Sequence, residues 1–432
     1  MLWPSRTEFP TYFPNPMKTL KTEVDHKNLD AWLATAAECR NVVFQALDLT
    51  AHDSHLASLP QAEAPEDGCI FLGCTLGPQL LQAAGSHHAL VFPDLPGRPY
   101  SPYRQRLHTV EELFAGFDPA RPDSYRDTPD WKTYASYIQV DAQNRPLKPV
   151  QFVVAGPEEI LARRLHDHFI TDEMEEFLAA FAPRAGGKGV VSIMGGHDRK
   201  RSDPVFAQIA RLCRQLTLDG FLVVSGGGPG LMEAANLGAF FCERSEADLD
   251  AAIARMADPA AKADRYDAPN WLSAAWRVRQ DNLPADFRRC RSLGIPTWFY
   301  GHEPPNVFAT HIGKYFENSL REEGLLAIAT HGVIFAEGNA GTVQEIFQDA
   351  CQNYYDNYGF KSPMILLGRA GWDPRPEEMS DDKNSPLYGN KPAWPLLSKL
   401  ARMKGFSGLT TLTDDPAEVL EAIRKFKAPG QG

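Results

Sequence analysis

Two short glycine-rich stretches hold most of the chemistry that can be read from this chain. The first is Ser225-Gly226-Gly227-Gly228-Pro229-Gly230-Leu231-Met232-Glu233-Ala234-Ala235-Asn236. Glycines permit positive φ and close backbone approach, and a helix start presents unpaired N–H groups at the positive end of its dipole. Gly226, Gly227, Gly228 and Gly230, with Met232 and Glu233 just inside the following helix, would form a cradle for an anion or a ribose phosphate. A tight strand-to-helix turn without a ligand needs the same glycines, so both alternatives stand.

The second stretch is Glu337-Gly338-Asn339-Ala340-Gly341-Thr342-Val343-Gln344-Glu345. Gly338, Asn339, Gly341 and Thr342 are expected to make a second anion site at another helix start, with Thr342 capping the helix and offering its hydroxyl. Glu345 lies one helical turn further on, which puts its carboxylate at the mouth of such a site; taken alone, a surface salt bridge explains it as well. A third pair, Gly195 and Gly196, runs into the basic cluster His197-Asp198-Arg199-Lys200-Arg201. That cluster is either a local anion site or a solvated charged turn. Arg288, Arg289 and Arg291 form another group of cations.

Competing motifs fail on their spacing. Gly226 and Gly228 begin a dinucleotide fingerprint, but Leu231 stands where its third glycine belongs, and no acidic residue ends a strand about 20 positions later. No Walker loop is present. The seven cysteines are scattered without a CxxC pair, and His166 and His168 lie two apart on a helix, pointing to different sides. Neither a metal nor a cofactor is expected.

These loops need strands and helices to carry them. From residue 186 onward short apolar runs alternate with amphipathic stretches. Strands are expected over 190–194, 221–225, 296–300, 332–336 and 363–367. Helices are expected over 204–218, 231–242, 312–329, 342–354, 393–403 and 416–426. This alternation predicts an α/β protein with a Rossmann-like, doubly wound parallel sheet, whose ligands sit beyond the carboxyl ends of the strands. All three glycine clusters fall there. Residues 243–290 read as a helical insertion.

Residues 1–175 are more irregular, with strand-like runs at 41–49, 69–74, 89–92 and 151–155 and helices at 77–85 and 157–182. The expected division is therefore a separate N-terminal α/β domain over 1–175 and a nucleotide-binding domain over 176–432. The segment 93–106 is a plain connecting loop or a lid.

A chain of 432 residues with 43% apolar side chains has enough material for two or three packed domains. Its net charge of −11 provides no electrostatic footprint for nucleic acid or an anionic membrane. No run of about 20 uninterrupted apolar residues is present, and the first residues lack a signal-peptide core. With unpaired cysteines, a cytoplasmic location is expected.

Taken together, the two loops resemble the LONELY GUY (LOG) family, whose members carry a GGGPGxMEAAN loop and a PGGxGTxxE loop. Gly226 through Asn236 match the first closely; Gly338, Gly341, Thr342 and Glu345 match the second. Glu303-Pro304-Pro305-Asn306 is similar to a family E-x-P-N stretch, and Lys314-Tyr315-Phe316 to an aromatic run before a family Arg-Lys pair. The likeness spans 186–367. It departs at Glu337, where the family has Pro, at Asn339, where it has Gly, and at Arg321-Glu322-Glu323, which replaces the Arg-Lys pair with Arg321 one position out of register.

The resemblance implies hydrolysis of the N-glycosidic bond of a nucleoside 5′-monophosphate, releasing a base and ribose 5-phosphate, by a homodimer or higher oligomer. It implies Glu345 as catalytic carboxylate with Arg321 beside it. Gly338, Asn339, Gly341 and Thr342 would bind phosphate, and Gly228, Met232 and Glu233 would line the nucleoside side. The altered positions also suit a non-catalytic nucleotide or phospho-ligand sensor, or an enzyme with a changed substrate.

Overall fold

The computed structural model describes residues 21–143, 145–182, 186–299, 304–382, 385 and 387–428. They fall into two compact units. One comprises the described parts of Ser5–Arg106 with Val153–Glu173, the other those of Leu107–Phe152 with Met174–Gly432.

In the smaller unit β1 (Thr22–Val24), β2 (Val42–Gln45), β3 (Ile70–Leu72) and β4 (Leu90–Phe92) form a parallel sheet in that order. The helix Pro78–Ser86 connects β3 to β4 as the alternation predicts. Phe44 and Phe71 stack at 5.0 Å between ring centres, with the Trp32 ring edge-on to Phe44 at 5.1 Å. The loop 93–106 is strapped within this unit. Arg98 holds Glu159 at 2.9 Å and Glu158 at 3.0 Å, Tyr100 donates to Glu159, and the buried Tyr103 donates to the Pro93 carbonyl. These ties fasten it within the unit.

The larger unit is built on β5 (Val190–Met194), β6 (Leu222–Ser225), β7 (Ser292–Gly294), β8 (His311–Ile312), β9 (Gly332–Phe335), β10 (Met364–Leu367) and β11 (Thr410–Thr413). All neighbours are parallel, in the order β11-β10-β9-β5-β6-β7-β8. The strands β5, β6, β9 and β10 are buried along their whole length, as a sheet covered on both faces requires. From β5 the chain moves outward through β6 to β8, then returns to place β9 on the other side of β5. The order therefore reverses between β5 and β9, the kind of position where doubly wound sheets open a ligand crevice.

Several expectations shift. Residues 296–299 do not form the third strand, and residue 300 lies outside the described residues: Pro296 lacks an N–H to donate, and the paired residues are β7. The helix expected from 312 begins at Asn318, because 313–316 stay extended: Gly313 and Tyr315 donate to the Gly294 and Pro296 carbonyls. Residues 151–155 form no strand; Phe152 makes one isolated bridge to Ile138. The polar run of β11 escapes an apolar-run criterion. Within the insertion, Glu246–Ala257 and Trp271–Asp281 are helical.

The division at residue 175 also differs, since 107–152 packs into the larger unit. Asp130, 1% exposed, receives Lys314 Nζ at 2.5 Å, Trp298 Nε1 at 3.0 Å and the Tyr125 hydroxyl at 2.6 Å. A buried ion pair over long sequence separation leaves no local signal. Among the described residues no helix is long and apolar enough to cross a membrane.

Backbone contact gives a direct test of this packing. On the helix Leu231–Phe240, a Cβ at Gly238 would stand 2.0 Å from the Ala210 carbonyl oxygen of the helix Pro204–Leu218, while one at Gly85 meets nothing within 4 Å. Gly238→Ala is expected to cost about 1–3 kcal/mol through overpacking. Gly85→Ala is expected to stabilise by about 0.5–1 kcal/mol through helix propensity. Denaturant unfolding of the two variants checks both signs.

Candidate functional site

The loops that follow β5, β6 and β9 meet because the sheet's ladder continues past its strands. The Gly196 N–H donates to the Glu337 carbonyl at 2.9 Å, and the Leu231 N–H donates to the Gly196 carbonyl at 3.1 Å. The glycines make this approach possible. A Cβ on Gly195 would lie 2.7 Å from a Leu231 methyl, and one on Gly230 (φ +65°) would lie 2.4 Å from the Gly196 oxygen. At Gly227 (φ +71°) a Cβ would strike Pro296 and the Gly294 backbone.

Two asparagines fix the loop after β6. Asn306 donates through Nδ2 to the Gly228 carbonyl at 3.1 Å and to Asn236 Oδ1 at 2.9 Å, and its N–H donates to the Gly227 carbonyl. Ser225 Oγ also donates to Asn236 Oδ1. All three side chains are fully buried, so Asn236 and Asn306 shape the loop. Glu303 lies outside the described residues.

The helices leaving β6 and β9 both start uncapped by side chains. Gly230 is the N-cap of Leu231–Phe240 and Asn339 that of Ala340–Tyr355, neither giving a side-chain cap bond. The first-turn N–H groups thus have no side-chain acceptor at the cap position. Thr342 is the third residue of its helix and not its cap. Its buried side chain fills the space left by Gly338, where a Cβ would stand 2.1 Å from Thr342 Oγ1. Gly341 faces open space.

Arg321 and Glu345 come together over the first loop. Arg321 Nη1 is 3.8 Å from Glu345 Oε1, and Nε donates to Asn318. The same Nη1 lies 3.7 Å from the Cβ position of Gly226, which the Met232 sulfur also faces at 2.6 Å. The Glu345 side chain is 14% exposed. Burial pushes its carboxyl up to about 7, against the lowering pull of Arg321, and Glu322 adds to the rise. One turn beyond, Asp349 is buried with Oδ2 unpartnered, and burial drives its carboxyl well above the ordinary range.

The rest of the rim corrects several expectations. Glu233 does not line a ligand: its carboxylate is fully buried in a bidentate pair with Arg201 at 2.5 and 3.0 Å and accepts from Trp271 Nε1 at 3.3 Å. Arg201 also donates to the Ala263 and Trp271 carbonyls, tying the insertion to the site. The basic cluster is consequently not a pool of free cations, because Arg199 pairs with Glu337 at 3.0 Å. That pairing offsets the negative charge Glu337 introduces. Asn339 donates to Asp198 at 3.2 Å. Lys391, absent from the sequence expectations, reaches the Gly338 carbonyl at 3.2 Å, and burial followed by Arg199 lowers its ammonium. It sits in an irregular segment with no motif around it, so nothing local marks it.

Fold and site define a doubly wound α/β domain of Rossmann-like type, with two helix starts and a carboxylate–guanidinium pair at its switch-point crevice. No family model matches the chain, and no curated protein matches it by sequence. Among solved structures, a molybdenum cofactor binding protein from Rippkaea orientalis aligns at 15% identity and TM-score 0.28, covering 55% of this chain and 95% of that one. The molybdenum cofactor carrier protein of Chlamydomonas reinhardtii aligns at 13% and 0.31, covering 55% and 96%.

Two measurements test the charge assignments. Arg201→Met leaves Glu233 buried and unpaired, and should cost about 3–5 kcal/mol in denaturant unfolding. Glu345 has a folded pKa near 7, above the ordinary value of 4.5, so folding favours its protonated form. Its contribution to stability is therefore lost as pH rises from about 4.5 to 7. Relative to wild type, Glu345→Gln should gain about 1–3 kcal/mol between pH 5 and pH 8, the upper bound discounted for partial exposure.

Proposed function

We propose that this chain hydrolyses the N-glycosidic bond of a nucleoside 5′-monophosphate or a close relative, as its resemblance to the LONELY GUY family implies. The observation that carries the proposal is Glu345: a carboxyl poised near pH 7, 3.8 Å from Arg321, one turn inside an uncapped helix start. A plain surface salt bridge has no need of a desolvated acid at a crevice, whereas general-base work favours a pKa near the working pH.

In this proposal the 5′-phosphate docks on the first-turn N–H groups at Ala340 to Thr342, with the dipole of the helix favouring its charge. Gly341 leaves the approach open. The ribose then lies against the loop 226–230, with Met232 beside it. As the C1′–N bond breaks, its electron pair leaves with the base, which takes up a proton. Water adds its oxygen to C1′ and gives a proton to the Glu345 carboxylate. Before that transfer the same carboxylate stabilises positive charge developing on the ribose, as in other glycosyl hydrolysis. Arg321 keeps enough of Glu345 ionised at neutral pH. Arg199 and Lys391 supply cationic character to a rim that has lost the family's Arg-Lys pair.

Purified protein incubated with a panel of nucleoside monophosphates should release free base and ribose 5-phosphate, read by chromatography. kcat/KM should rise with pH through about 7, following ionisation of Glu345. Glu345→Gln should lower kcat by about 10²–10³-fold with little change in nucleotide affinity. Gly341→Asp, which adds a carboxylate where there is room for one, should instead abolish nucleotide binding. Binding by the wild type with no product from any nucleotide would replace the hydrolase with a nucleotide sensor.

A further inference from the structure

The arginines at 288, 289 and 291 take no part in the crevice. They line a separate cavity of about 260 Å³, walled by Phe181 and Phe221 and floored by Cys242. Its place in the fold follows from the parallel pairing of β6 with β7. Phe221 immediately precedes β6 and Arg291 immediately precedes β7, so the cavity opens at the amino-terminal ends of these strands, while the carboxyl end of β6 carries a crevice loop. The two sites sit at opposite ends of β6.

The cations are incompletely neutralised. Arg289 pairs with Glu243 at 3.3 Å, and Glu243 is itself held by the N–H groups of Ala285 and Asp286. Among the described residues Arg288 and Arg291 have no carboxylate partner. Asp286 accepts from the backbone N–H of Arg288, and Arg291 lies over the Phe181 ring at 5.8 Å. His311, the titratable neighbour that feels Arg291, is driven down to about 4 by burial and by that arginine, so it adds no charge at neutral pH. In a chain of net charge −11, three arginines lining one cavity, two of them without a carboxylate partner among the described residues, are a local reversal of the global field.

We propose that this cavity is a second anion site that takes a small diphosphate-bearing ligand, independently of the crevice. Guanidinium forks match phosphate oxygens two at a time, and the two of Arg288 and Arg291 suit an anion with more than one phosphate group. The volume is below the range of about 300–1,000 Å³ usual for whole drug-sized ligands, which fits a diphosphate head in preference to an entire nucleotide. A ligand here would touch the roots of β6 and β7 and no residue of the crevice.

The test is calorimetric titration of the full chain with inorganic pyrophosphate and, separately, with ADP. Gly341→Asp serves as background, since it closes the crevice to anions and leaves the second cavity untouched. Binding of either probe to Gly341→Asp, weakened at least about tenfold when Arg288→Gln and Arg291→Gln are added, is the expected result. Binding should also weaken steeply with added salt. ADP binding with pyrophosphate excluded, or the reverse, identifies which source of diphosphate the cavity accepts. A variant carrying lysine at both positions keeps the charge and the fold, and should retain intermediate affinity; its unfolding transition guards against a mere folding defect. Absence of binding by both probes, or affinity unchanged by removal of the two arginines, overturns the proposal. Loss of nucleotide hydrolysis in any of these proteins bears on the crevice and leaves this result unaffected.

Discussion

One hydrogen bond outside the sheet governs the geometry of everything at the crevice: the Gly196 N–H to the Glu337 carbonyl. It extends the β5–β9 ladder one rung beyond the strands, at the position where the strand order reverses. Since Gly196 also accepts from the Leu231 N–H, the loops after β5, β6 and β9 share one backbone path. Side chains are excluded at two points of that path, which is why Gly195 and Gly230 serve loop contact before any ligand is considered. Their spacing is thus a packing requirement first. The open helix starts go with this packing: Gly230 has no side chain to offer, and the Asn339 side chain is turned to Asp198.

Charge at the crevice is arranged in pairs, and the degree of burial decides what each pair does. Arg201 and Glu233 are both about 1% exposed and satisfy each other with additional carbonyl and indole partners. Such a pair is costly to desolvate and costlier to break, so it clamps the insertion and is closed to ligands. Arg199 and Glu337 remain 31% and 41% exposed, where an ion pair is worth little and can yield to a competing anion. Arg321 and Glu345 lie between these limits, at 13% and 14% exposure and 3.8 Å. That distance is too long for a tight fork. Burial therefore outweighs attraction at Glu345, and its carboxyl rises toward neutrality.

The parallel sheet was legible because its strands are continuous apolar runs separated by longer amphipathic helices; 190–194, 204–218 and 393–403 coincide with the observed elements residue for residue. Where pairing depended on neighbours, the sequence misled. A run such as 296–300 looks like a strand on its own, but β7 is chosen by its register against β6. At the candidate site, spacing located the glycine loops and put Glu345 one turn inside the second helix, where it meets Arg321. Glu233 was misassigned because its motif position says nothing of the Arg201 that meets it across the fold. Lys391 and Asp130 were invisible for the same reason, since each acts over a sequence separation that no local pattern records.

Arg321 is followed directly by Glu322 and Glu323 on the helix Asn318–Ala327, two carboxylates that could draw it away from Glu345. Yet Asn318 holds its Nε from the first turn of the same helix and aims the guanidinium at Glu345. The two neighbouring carboxylates have other partners: Glu322 accepts from Asn318 and Gln344, and Glu323 from Tyr358. The electrostatic balance around Glu345 is consequently set by burial, which raises its carboxyl, by Arg321, which lowers it, and by Glu322, which adds to the rise.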